Sequence, residues 1–100
     1  MTEQAPQGPP NYTLRLFVTG HTVRSVRAVQ NITKLCEKHI PGRYELDIID
    51  VYQQPELALE QQLVAAPTLV KLLPLPVRRM VGDMSDSERV LAGLGLTKES

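Results

Sequence analysis

Hydrophobic and polar positions change period several times along this chain. In "YTLRLFVTG" (Tyr12 to Gly20), Leu14, Leu16 and Val18 alternate with Arg15 and Phe17. A period of two predicts a strand, closed by the glycine. In "HTVRSVRAVQNITKLCEKHIPG", Val26, Val29, Ile32, Cys36 and Ile40 recur at spacings of three or four. That predicts one apolar face of a helix, capped by Thr22 and ended by Pro41-Gly42. "RYELDIIDV" (Arg43 to Val51) returns to alternation through Tyr44, Leu46 and Ile48. Two strands separated by a crossover helix of about five turns predict a βαβ unit with parallel strands.

The second half carries weaker periodicity and stronger punctuation. Gln54-Pro55 suits a helix start, so "PELALEQQL" predicts a short helix. "TLVKLL" and "VRRMV" are two strands, and Pro74, Leu75 and Pro76 between them predict an antiparallel hairpin. Ser85-Asp86-Ser87-Glu88 has capping-box spacing and opens a last helix with Val90, Leu91 and Leu94. The order is βαβαββα, an α/β plan similar to a minimal thioredoxin-like domain. "AAPTLV" resembles the X-Pro corner of that fold, which predicts a cis Ala66-Pro67 bond. Residues 1–11 are polar and proline-rich and predict a disordered tail. The domain spans 12–96, and 97–100 form a short tail.

Composition narrows the chemistry. One hundred residues with 42% hydrophobic content suffice for one small core. Eleven basic and eleven acidic residues balance, which argues against a nucleic-acid binder. The start has no apolar leader, and the apolar run from Leu63 to Val77 is too broken to span a membrane. A single cysteine cannot form an internal disulfide, which fits a reducing compartment and a cytoplasmic location. Thiol exchange needs a low-pKa cysteine at the first strand-to-helix corner and a second thiol. That corner reads "VTGHTVRS", and Cys36 falls on the predicted apolar face as a core residue. Cys36, His39 and His21 are too few for a structural zinc site, and no phosphate-binding loop occurs. No enzyme chemistry and no cofactor are expected. A glutathione-type ligand site remains open, because "GDMSDSE" places serine and acid at a helix start. Arg24, Arg27, Lys71, Arg78 and Arg79 would form a docking patch for an acidic protein surface if they share a face.

A closer resemblance lies in "LRLFVTGHTVRSVRAVQNI", "YELDIIDVYQQPELA" and "VAAPTLVKLLPLPVRRMVGDMSDSERVLAGL". These stretches are similar to the KaiB family of bacterial clock proteins over about residues 12–96, most specifically from Ala66 to Asp83. The resemblance implies a non-enzymatic partner of the N-terminal ATPase ring of a KaiC-type ATPase. It also implies sequestration of the activator KaiA and competition with a thioredoxin-like sensor domain of a histidine kinase. Family partner positions match Arg27, Lys71, Arg78 and Asp83, and Arg79 joins them as the second member of the basic doublet. The family's thioredoxin-like form binds partners as a monomer. An alternative βαββααβ form assembles as a tetramer. Pro67, Pro74, Pro76, Gly93 and Gly95 are the candidate switch positions, since each glycine weakens the last helix by about 1 kcal/mol. "LTKES" closes the chain where family members carry an acidic tail, and Gly95 stands where an aspartate is usual. A paralogue serving a KaiC-like ATPase in a stress pathway is the other expectation.

Overall fold

The computed structural model describes residues 11–56 and 67–96. Strand β1 (Tyr12–Val18) leads into helix α1 (Val23–His39) and strand β2 (Tyr44–Asp50). Strands β3 (Thr68–Leu73) and β4 (Arg78–Val81) follow, then helix α2 (Ser87–Leu94). The four strands lie in the order β2-β1-β3-β4. β1 and β2 are parallel, as the crossover requires, while β3 is antiparallel to both β1 and β4. Pro55 and Glu56 begin a helix. The rest of the helix expected there, and Ala66 with its peptide bond to Pro67, lie outside the described residues. The tails expected at 1–11 and 97–100 do so too, apart from exposed Asn11.

Alternation sorts β1 onto two faces. Leu14, Leu16 and Val18 join Ala28, Ile32, Cys36, Leu69, Met80, Val90 and Leu94 in the main core between the sheet and both helices. Phe17 turns to the other face and meets Ile49 and Val70. Burying a side chain of this size stabilises by about 1.5–3 kcal/mol.

The buried stripe of α1 is Ser25, Ala28, Ile32 and Cys36, continued by Ile40. This is one correction to the periodicity, because Val26 is exposed. The small Ala28 takes the inward position and lets the helix lie close to the sheet. Ile48, also expected inward, is half exposed because β2 forms the sheet edge. Thr22 caps α1 as predicted, its hydroxyl accepting from the Ser25 N–H at 3.2 Å.

The last helix needs two corrections. Asp86, not Ser85, is its N-cap, accepting from the Arg89 N–H at 3.2 Å. Ser85 is held one step earlier, where its N–H donates to Asp83 Oδ1. Gly95 does not weaken the helix interior. It lies just past the end at φ 78°, a left-handed setting that glycine adopts without steric cost. Its N–H donates to the Ala92 carbonyl at 3.1 Å, and the Leu96 N–H donates to Leu91 at 2.8 Å. These two bonds satisfy carbonyls that a helix end leaves open. Gly93 is inside α2, where a Cβ would overlap the Met80 thioether. The glycine is the packing solution that brings α2 onto β4.

Candidate functional site

Register decides where each candidate side chain points. Leu14, Lys71 and Arg78 stand opposite one another across three strands. Leu14 belongs to the main core, so this row faces the helices. Arg15, Val70 and Arg79 form the adjacent row, and Val70 packs with Phe17. Arg79 therefore faces the opposite side from Arg78. The basic doublet is split by the pleat, and the five basic residues do not share one face.

Two charge pairs remain on the helix-bearing face. At one end of β4, Arg27 lies 4.0 Å from Asp83. The Asn31 amide donates to the Asp83 carbonyl oxygen at 2.9 Å, joining α1 to the β4–α2 connection. Hydrogen bonds from Ser85 hold the Asp83 carboxyl below the usual carboxylate range, helped by Arg27 and Arg24. At the hairpin end of β4, Lys71 is 3% exposed and Arg78 is its cross-strand partner. The Lys71 ammonium donates to the Pro74 carbonyl. Burial, then the Arg78 charge, lowers its pKa.

The candidate switch positions are also placed. Pro67 is buried and its carbonyl accepts from the Gly82 N–H at 2.8 Å. The Leu73-Pro74 and Leu75-Pro76 bonds are cis, and Leu75 between them is 72% exposed.

Sequence reasoning missed Asn31 and Ser85. Their importance comes from contacts 52 and 2 residues away, and only the second has a local signal, the Asp-x-Ser spacing of an Asx turn. It also treated Lys71 as surface charge. Alternation with Leu69 was the available signal that it points inward.

The β1–α1 corner is built from hydroxyls. Ser25 Oγ accepts from the Thr19 N–H at 3.0 Å and from the Thr22 hydroxyl at 2.9 Å. Asp50 Oδ1 accepts from the Gly20 and Tyr52 N–H groups. Cys36, far from this corner along α1, is fully buried. Burial, then the neighbouring Glu37 charge, pushes its thiol up to about 11, opposite to what a reactive thiolate needs. Beside the corner, α1 and β2 bound an open groove of about 400 Å³, lined by residues that include His21, Val26, Val29, Ile48 and Asp50. Among the described residues, no group of three His, Cys, Asp or Glu side chains gathers to hold a metal. No described helix is long and apolar enough to cross a membrane.

This is a thioredoxin-like domain whose first corner carries hydroxyls in place of sulphur. Solved structures agree on the fold. The N-terminal domain of Synechococcus elongatus SasA matches with a TM-score of 0.71 at 25% identity, covering 98% of this chain and 97% of that one. Chloroplastic thioredoxin z matches with a TM-score of 0.70 at 17% identity, covering 86% and 78%. The KaiB domain family matches residues 15–96, and the chain belongs to that family. It is 51% identical over 85 residues to the circadian clock oscillator protein KaiB of Synechococcus elongatus, covering 85% of this chain and 83% of that protein. It is 45% identical over 86 residues to the circadian clock protein KaiB3 of Synechocystis sp., covering 86% and 84%.

Proposed function

We propose that this protein is a non-enzymatic, cytoplasmic clock-type adaptor. It binds the N-terminal ATPase ring of a KaiC-type ATPase and modulates its phosphorylation cycle. The supporting observation is positional. Arg27, Lys71, Arg78 and Asp83 come from three elements and one loop, yet form two pairs on one face of the sheet. Relatives about half identical to this chain are named as circadian clock proteins. The folded unit spans 12–96, and in this form it acts as a monomer. It helps sequester a KaiA-type activator and competes with the thioredoxin-like sensor domain of a histidine kinase for the same surface. A rearranged tetrameric form would require α2 to leave β4, and with it the Gly93–Met80 contact.

The glutathione reading is disfavoured by the first turn of α2. Asp86 occupies the cap, with Asp83 and Glu88 close in sequence, so a ligand carboxylate would meet like charge.

Co-elution with a KaiC-type ATPase, loaded in turn with ATP and ADP, tests the proposal. A complex is expected in one nucleotide state. Arg78→Glu weakens it by about tenfold or more, equivalent to about 1.4 kcal/mol. The absence of a complex in every nucleotide state overturns the reading.

A further inference from the structure

Lys71 is a buried cation. The residue is 3% exposed, and among the described residues its ammonium meets the Pro74 carbonyl and no carboxylate. An ammonium has three N–H donors, and among the described residues one acceptor meets them. The residue directly opposite is Arg78, an exposed second cation that also lacks a carboxylate partner among the described residues. Like charges opposite each other in a sheet are destabilising.

Two consequences follow for the amine. Burial and the Arg78 charge both favour the neutral form of Lys71, and the neutral amine is the nucleophile. Burial also favours a small, uncharged electrophile such as a triatomic over a bulky one.

We propose that Lys71 is a site of reversible carbamylation by carbon dioxide, with Arg78 as the counter-cation of the product. The Nζ lone pair forms a bond to the carbon of CO2, and one C=O π pair moves onto oxygen. The nitrogen then releases one proton to solvent, so amine plus CO2 gives N-carboxylate plus a proton, with no oxidant or reductant. The carbamate nitrogen keeps one N–H, which continues to donate to the Pro74 carbonyl. Its carboxylate accepts from the Arg78 guanidinium, whose fork matches two oxygens. A pair of like charges becomes an ion pair. Lys34 and Lys38 are exposed on α1, with no arginine opposite them across a ladder, and gain no such stabilisation.

The experiment incubates the full chain with 13C-labelled bicarbonate, ethylates carbamates with triethyloxonium and maps labelled peptides by mass spectrometry. Label at Lys71 should exceed that at Lys34 and Lys38, because burial and the Arg78 charge favour its neutral amine. Selectivity should vanish in urea-unfolded protein and fall in Arg78→Ala. No label at Lys71, label equal across the three lysines, or label indifferent to Arg78→Ala overturns the proposal. Trapping needs no partner protein, so its outcome is separate from the ATPase-binding test.

Discussion

The two ends of β4 carry charge pairs built in opposite ways. At the α2 end, Arg27 and Asp83 have opposite signs, Arg27 is 63% exposed, and Asn31 and Ser85 hydrogen-bond around them. At the hairpin end, Lys71 and Arg78 have the same sign, and one of them is buried. The first arrangement satisfies its own charges and joins α1 to a loop. The second has no carboxylate partner among the described residues. A fold does not benefit internally from a buried ammonium beside a guanidinium, so its value lies in what approaches from outside. The same sheet face thus holds a structural clasp and a receptive site at opposite ends of β4.

The strongest challenge to this contrast is Lys71→Met in bicarbonate-free buffer. The substitution keeps an unbranched stem and removes the charge. Urea unfolding should show a gain of about 1–3 kcal/mol, the scale for relieving a poorly partnered buried polar group. A loss of stability would mean that Lys71 serves the fold. At the other end the sign reverses. Asn31→Ala removes a part-buried hydrogen bond and should cost about 1 kcal/mol by the same measurement. Arg27→Ala should leave the unfolding midpoint within error, as expected for an exposed ion pair.

The pH dependence of the unfolding midpoint gives the smallest and most discriminating effect. Asp83 has a folded pKa below its unfolded value. Its contribution is present above the unfolded aspartate value of about 3.9 and is lost as pH falls through the lower folded value. Lys71 also has a folded pKa below its unfolded value, so its slope has the same sign and is displaced to the alkaline side. The unfolded chain holds more protons between the two values, so stability rises with pH until about 10.4. Asp83→Asn should flatten the acid limb and Lys71→Met the alkaline limb.

Much of the fold is legible in the sequence because its signals are local. The period-two and period-three-to-four runs place β1, α1 and β2, and Thr22 marks a true cap. The prolines after Leu73 mark the hairpin. Errors arise where a residue has two local options and a distant contact selects one. Ser85 could cap α2 but is engaged by Asp83, so Asp86 caps instead. Gly95 reads as a helix breaker and acts as a helix terminator. Gly93 reads as a weakness until Met80 is beside it. The candidate surface is legible as a set of residue types but not as a geometry. Pairing of β3 with β4 sends Arg79 away from Arg78, and no feature of the string "VRR" alone decides which arginine stays with Lys71.

The hydroxyl corner has a consequence for anyone seeking to restore chemistry to this scaffold. The Ser25 oxygen already receives two donors, and Thr19 Oγ1 lies 3.4 Å away. An atom so fully coordinated has no lone pair to offer an incoming carbonyl or disulfide. Installing cysteine there would first dismantle the knot that seats the start of α1, so redox activity cannot be regained by one substitution without loosening the helix that must carry it.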